Sequence, residues 1–177
     1  MSLLRKRYFE EKYPILTGWL RGHPFLLTCF KILYYGLPVL MMVLYVTFVI
    51  HTARSKGIKT LKKTLLVPAA AFILVSLFRK IYNKKRPYER YDFEPLIDKS
   101  KEGRSMPSRH TFSAGIITVT IGHFYPLLAP FLWMITGMIA LTRLIAGVHY
   151  VRDVAVAAGL AMIVGVALKI PVFNKGK

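Results

Sequence analysis

The sequence predicts an all-α membrane bundle, and three observations carry that prediction. Hydrophobic residues make up 54% of the 177, and they fall in uncharged runs close to the length that spans a bilayer. The formal net charge is nevertheless +18, and the cations gather at the ends of those runs, as they do in membrane proteins with basic loops. The runs are divided by Gly, Pro and polar clusters, with no alternating pattern that would suggest strands.

The same numbers exclude other classes. A disordered basic chain would lack long apolar runs. A nucleic-acid binder would hold its charge in a basic domain or patch, and here it only flanks apolar segments. Cys29 is the sole cysteine, so no disulfide forms within the chain. No Cys/His cluster has metal spacing, and neither a metal nor a cofactor is expected. The basic start has no early apolar run and no small-residue cleavage site, so no cleaved signal is expected. At this length one domain, 1–177, is the reading.

In chain order, residues 1–24 mix charge with aromatic and aliphatic groups. Phe9, Tyr13, Leu16 and Leu20 repeat at four, three and four residues, which is one helix face. Pro14 divides the stretch into two short pieces, and the composition suits an amphipathic segment at the membrane interface. Ile32 to Ile50 is the first span, with Gly36 and Pro38 as kink sites. Residues 54–63 form a short basic loop around Gly57. Thr64 to Tyr82 is the second span. Residues 84–106 form the one long polar loop, placed over the site. His110 to Tyr125 is a shorter third helix stopped by Pro126. Leu127 to Ala146 is the fourth, and Gly147 breaks the pattern. Val151 to Ile170 is the fifth, rich in small residues that allow close helix contact. The expectation is five spans plus the N-terminal helix.

Three polar clusters stand at the ends of these segments. If each span crosses once, Arg86, Ser108, Arg143 and Asp153 fall on one membrane face. Arg79 and Arg86 are seven apart, nearly one stripe of a helix, and paired guanidiniums suit phosphate oxygens. The competing reading is a juxtamembrane stripe for lipid head groups. Pro107-Ser108-Arg109-His110 opens a helix, with Ser108 as N-cap and His110 as proton donor to a leaving oxygen. The competing reading is simple capping. His149 and Asp153 are four apart and would face each other on a helix, the carboxylate fixing the imidazole tautomer. Such a histidine can attack phosphorus. The competing reading is a self-satisfied buried pair. Arg143 lies six residues before His149, so only the break at Ala146-Gly147 can bring the two together.

As a set, Arg79-x6-Arg86-Pro87, Pro107-Ser108-Arg109-His110 and Thr142-Arg143-x5-His149-x3-Asp153 resemble the type 2 phosphatidic acid phosphatase family. That family's pattern is Lys-x6-Arg-Pro, Pro-Ser-Gly-His and Ser-Arg-x5-His-x3-Asp. Order and spacing match over roughly residues 60–170. The resemblance implies a metal-free phosphohistidine mechanism. His149 would be the nucleophile, Asp153 its orienting carboxylate and His110 the general acid. Arg79, Arg86, Ser108 and Arg143 would hold the phosphoryl group, with Arg109 added. Three departures stand out. Arg79 replaces Lys, and Lys80 is the other candidate for that position. Arg109 replaces Gly, and Thr142 replaces Ser. The family has six spans where this chain offers five and an interfacial segment.

The implied partners are the bilayer and a lipid-linked phosphate. Small bacterial members resemble undecaprenyl diphosphate phosphatases, and a diphosphate would use the surplus cations Lys84, Lys85 and Arg109. Phosphatidylglycerophosphate, phosphatidic acid and lipid A phosphates are the alternatives. The positive-inside rule sets the 54–63 loop and the tail cations Lys169, Lys175 and Lys177 in the cytoplasm, and the site on the extracytoplasmic face of a bacterial plasma membrane. The competing class is a non-catalytic membrane protein that binds anionic lipid, for which His149 and His110 would be dispensable.

Overall fold

The computed structural model describes residues 6–97 and 102–169. Every regular element among them is helical. A single π-helical turn at Tyr8–Lys12 leads into α1 (Tyr13–Arg21). Pro14 occupies the first turn of α1, so the segment is two short pieces, a π-helical turn and α1, that meet beside it. Phe9, Tyr13 and Thr17 are the buried positions of this stretch. The buried face therefore runs through Thr17, and Leu16 stays 40% exposed.

Helix α2 (Pro24–Ser55) and α3 (Gly57–Tyr82) are longer than the apolar runs alone predict. The expected basic loop at 54–63 is not a loop. Lys56 alone separates the helices, and Gly57, at φ +77°, supplies the left-handed turn. Arg54, Lys56, Lys59, Lys62 and Lys63 therefore crowd two abutting helix ends. Pro38 and Pro68 both lie within continuous helix. A four-residue helix, α4 (Pro87–Arg90), opens the polar connection. It is followed by α5 (Arg109–Phe124), a 3₁₀ turn at Pro126–Leu128, α6 (Ala129–Ile145) and α7 (Val151–Lys169). Ile170 and the tail residues Lys175 and Lys177 lie outside the described residues.

Among the described residues, four helices are long and apolar enough to cross a membrane: Pro24–Ser55, the helix starting at Gly57, Pro126–Ile145 and Val151–Leu168. The expectation of five spans plus an N-terminal helix is corrected by α5. Its 16 residues reach only about 24 Å at 1.5 Å each, short of a ~30 Å hydrocarbon core. Its apolar character has another cause, because α5 is the helix the others surround. Nine of its residues are buried, on every side. It packs against α7, α6, α2 and α3.

Small residues let that central helix in. A Cβ added at Gly115 would stand 2.6 Å from Ala161 Cβ, and one at Gly122 would stand 2.9 Å from Ala129 Cβ. Ala157 and Ala161 are fully buried against Phe112 and Ile116. With lipid as apolar as the core, such close backbone approach supplies the packing that hydrophobicity cannot. A second cluster, Met41, Phe48, Ile117, Ile121, Leu132, Ile135 and Ile139, ties α2 and α6 to α5. Outward-facing residues such as Phe25 (78% exposed), Ile81 (85%) and Leu127 (95%) form the lipid-facing surface. The chain is an integral membrane protein.

Candidate active site

The starts of α5 and α7 meet the ends of α3 and α6 at one end of the bundle, joined there by polar loops. Helix α3 ends at Asn83, which takes the left-handed conformation (φ 35°) that closes a helix C-terminus. Arg79 sits in that last turn, and Arg86 follows four residues after the helix ends. Both guanidiniums turn inward to the 102–108 stretch of the polar loop. Arg79 Nη1 donates to the carbonyl of Pro107 and, at 3.5 Å, to that of Ser105. Arg86 Nε donates to Gly103 O at 3.0 Å. Arg79 is 7% exposed and Lys80 is on the outer surface, so Arg79 is the residue that faces the site.

The third cluster is shaped by the break between α6 and α7. Ala146 N and Gly147 N close on Thr142 O and Leu144 O at 3.0 Å, and Gly147 takes φ +71°. This reversal carries His149 back to the side of Arg143. Arg143 is 2% exposed, donates from Nη2 to Tyr34 O at 2.6 Å, and stacks with its Cζ 3.6 Å from the Tyr34 ring centroid. Its Nε is buried without a partner. Helix α7 begins only at Val151, so His149 is not helical.

That changes the expected histidine–aspartate pair. His149 Nδ1 lies 3.8 Å from Asp153 Oδ2, beyond hydrogen-bond length, and has no other partner. The carboxylate is instead held by Lys84 Nζ, by Ser105 Oγ at 2.5 Å and by the backbone N–H of Tyr150 at 3.1 Å. Burial pushes the His149 imidazole down to about 4; the Asp153 carboxylate opposes this and the Arg86 charge adds to it. The side chain is therefore neutral at pH 7, with its lone pair available.

Ser108 holds the N-cap position of α5, but its side chain makes no capping bond. Its hydroxyl accepts from Thr111 Oγ1 at 3.0 Å, and its backbone N–H donates to Asp153 O at 2.9 Å. The second and third clusters are thus joined main chain to main chain.

A cavity of about 500 Å³ lies among these groups. Arg79, Arg86, Arg109, His110, Arg143 and His149 all line it, together with Arg104, Glu102, Ser76, Tyr34 and Val148. Of the residues singled out in the sequence, Ser108 and Asp153 are buried behind this lining and not in it. Lys84 and Lys85 are not there either. Lys84 is committed to Asp153, and both lysines line a separate cavity. Five guanidiniums against one carboxylate make the cavity a strongly cationic site suited to phosphate oxygens, with two histidines in its wall.

Residues the sequence reading passed over are Tyr34, Ser76, Glu102, Arg104 and Ser105. Tyr34 sits in an uncharged spanning run and gives no local sign that its ring and carbonyl serve Arg143. Ser105 lies three residues before Ser108 in an aperiodic loop, and only the fold brings it to Asp153.

A membrane bundle whose helix ends present guanidiniums and two histidines around one cationic cavity fits a membrane phosphatase. Residues 60–177 match the PAP2 superfamily, and the chain belongs to that family of phosphatases. The match contains every candidate site residue from Arg79 to Asp153. The fold is similar to that of Aquifex aeolicus LpxE, with a TM-score of 0.66 and 24% identity over 89% of this chain and 92% of that one. It is also similar to a transmembrane PAP2 type phosphatidylglycerolphosphate phosphatase from Bacillus subtilis. The TM-score there is 0.52 and the identity 18%, over 93% of this chain and 94% of that one. Comparison with the curated proteins finds no match.

Proposed function

We propose that the protein is a lipid phosphatase that removes a phosphate from a lipid-linked phosphomonoester or diphosphate without a metal. The observation that carries this reading is the convergence of His149, His110, Arg79, Arg86 and Arg143 on one cavity at the helix ends. In the proposed reaction a neutral His149 nitrogen attacks phosphorus as the bond to the leaving oxygen breaks. His110 gives that oxygen its proton. Water then attacks the phosphohistidine with His110 as base, and releases inorganic phosphate and the free imidazole. Arg79, Arg86, Arg109 and Arg143 hold the equatorial oxygens, where charge spreads in the transition state. Ser108 and Asp153 act from behind. Ser108 fixes the start of α5, and Asp153 fixes the 149–153 turn.

The substrate we favour is undecaprenyl diphosphate, converted to undecaprenyl phosphate. Arg104 and Arg109 are two guanidiniums beyond the motif set, suited to a second phosphate. Phosphatidylglycerophosphate is the first alternative, since the Bacillus subtilis neighbour is named for it; phosphatidic acid and lipid A phosphates follow. The basic turn between α2 and α3 favours a cytoplasmic position for that end, which puts the site on the outer face of a bacterial plasma membrane. We read 1–177 as one phosphatase domain.

The test is phosphate release by the detergent-solubilised protein in EDTA from undecaprenyl diphosphate, phosphatidylglycerophosphate and phosphatidic acid in parallel, beside His149→Ala. Release that survives EDTA and is lost in the variant supports the mechanism, and the order of rates names the lipid. Release from none of the three, or equal release by the variant, returns the protein to the anionic-lipid-binding class.

A further inference from the structure

A second cavity, of about 540 Å³, adjoins the first and shares no lining residue with it. Its walls are Tyr82, Lys84, Lys85, Glu89, Arg90, Tyr150 and Arg152. The two cavities are neighbours along the chain at two places: Lys85 beside Arg86, and Tyr150 beside His149.

Four cations face one carboxylate in this second cavity. That carboxylate, Glu89, is already bound by the backbone N–H groups of Arg86 at 2.6 Å and Gly103 at 2.9 Å. Lys84 Nζ lies 4.5 Å from the Tyr150 ring centroid, and Arg152 Cζ lies 5.9 Å from it. Nothing in the proposed hydrolysis uses Lys85, Arg90 or Arg152. One wall of the cavity stands at the end of a membrane-spanning helix. Tyr82 ends a membrane-spanning helix, and Ile81 beside it is 85% exposed on the lipid-facing surface. A ligand that reaches this place with one end in lipid and a phosphate at the other meets apolar wall first and then cations.

We infer that this cavity binds the phosphate group of an anionic phospholipid as a site distinct from the catalytic one. Lys84 belongs to both places, because it lines the cavity and its ammonium holds Asp153. A bound phosphodiester and the Asp153 carboxylate therefore compete for one ammonium. Lys84 holds Oδ1, whereas Oδ2, the oxygen 3.8 Å from His149 Nδ1, is held by Ser105 Oγ and the Tyr150 N–H; as Lys84 turns to the lipid, Oδ1 loses its anchor and the carboxylate is freed on that side to turn toward His149. Lipid occupancy then speeds hydrolysis. This coupling rests on the catalytic reading of His149 and Asp153, whereas the binding does not.

Binding is measured by calorimetry with dihexanoyl phosphatidylglycerol, a phosphodiester without a terminal phosphate to lose, on the His149→Ala protein. The Lys85→Ala/Arg90→Ala/Arg152→Ala triple variant is set beside an Arg54→Ala/Lys59→Ala/Lys62→Ala triple that removes equal charge from the other end of α3. The expected result is affinity weakened about tenfold or more in the first triple only. Equal loss in both triples, or no loss in either, overturns the site. Inorganic phosphate is the competing arm. Displacement of the lipid at matching concentrations would make the ligand a free phosphate and overturn the lipid assignment. In nanodiscs, raising the phosphatidylglycerol fraction is expected to speed hydrolysis by the otherwise wild-type protein and leave the first triple flat. An equal response in both overturns the coupling. Absence of any hydrolysis overturns the catalytic reading alone, since the calorimetry still decides the site.

Discussion

Lys84 Nζ, and not His149, is the cationic partner of the Asp153 carboxylate. The two side chains are 10% and 0% exposed, and Ser105 Oγ at 2.5 Å and the Tyr150 N–H at 3.1 Å complete the carboxylate's shell. A buried pair of this kind contributes little over a well-packed apolar pair, but breaking one side strands the other. Asp153→Asn is therefore expected to destabilise the protein by about 3 kcal/mol, and Lys84→Met by a similar amount. The double variant should lose less than the sum, with a coupling of about 1–3 kcal/mol. Thermal unfolding of the four proteins in detergent measures it. Strict additivity would show that the Lys84–Asp153 contact contributes nothing to folding.

His110 stands at the first turn of α5 and lines the catalytic cavity beside His149. As the proton donor to the leaving oxygen, it matters most when that oxygen is a poor leaving group. His110→Asn is expected to slow release from an alkyl phosphate by about 10²- to 10⁴-fold. With p-nitrophenyl phosphate, whose leaving group departs without a proton, the loss should be far smaller. His149→Gln should abolish turnover of both substrates. Steady-state rates on the pair of substrates decide the roles. Equal losses for His110→Asn on both would remove it as the acid.

The buried His149 gives stability a pH dependence of known sign. Burial holds the folded imidazole near 4, whereas the unfolded side chain titrates near 6.5. Between those values the unfolded chain binds a proton that the folded protein does not. Stability therefore rises with pH across this window and falls as pH drops from about 6.5 toward 4. Above the window the two states agree and the contribution is full. The measurement is the melting temperature of wild type minus that of His149→Gln from pH 7 to pH 4. The difference should shrink as pH falls. A constant difference would place the imidazole in contact with water.

Much of the site was legible because its chemistry falls at fixed intervals. Arg79, Arg86, His110, Arg143 and His149 could be named from spacing, and the break at Gly147 from one glycine after an apolar run. The sequence overcounts the spans for a physical reason. Hydropathy cannot distinguish a helix bathed in lipid from one wrapped by protein, and α5 is apolar because four helices surround it. Helical spacing predicts a His149–Asp153 pairing. The helix starts two residues after His149, and the spacing rule does not apply there. Lys84 and Ser105 reach Asp153 from 69 and 48 residues away. No local pattern encodes a contact of that separation.

The N-terminal segment, outside the matched family region, also reaches the site, through Tyr13 and Gly147. Tyr13 is 1% exposed; its hydroxyl donates to Ile145 O at 3.0 Å and accepts from Leu96 N–H at 3.2 Å. Phe9 and Phe93 stack beside it, and Tyr150 meets Phe9 edge on. The turn that carries His149 thus rests on an aromatic base supplied from residues 9–13 and the polar loop. A Cβ at position 147 would stand 2.5 Å from Tyr13 Oη and 3.0 Å from Phe93 Cε2, in a backbone conformation of φ +71°. Gly147→Ala therefore incurs left-handed strain of about 1–2 kcal/mol and overpacking of about 1–3 kcal/mol. Tyr13→Phe removes the nearest clashing atom but leaves the ring carbon Cζ at 2.7 Å, the strain, the Phe93 contact and two unpaired backbone groups. Each single variant is expected to melt lower and to turn over more slowly, because Arg143 and His149 are set by this turn. In the Tyr13→Phe background, Gly147→Ala should cost measurably less than it does alone, since only the clash with Oη is relieved. Melting temperatures and kcat for the four proteins test this. A Gly147→Ala cost that is the same in both backgrounds would mean that the turn is set without Tyr13.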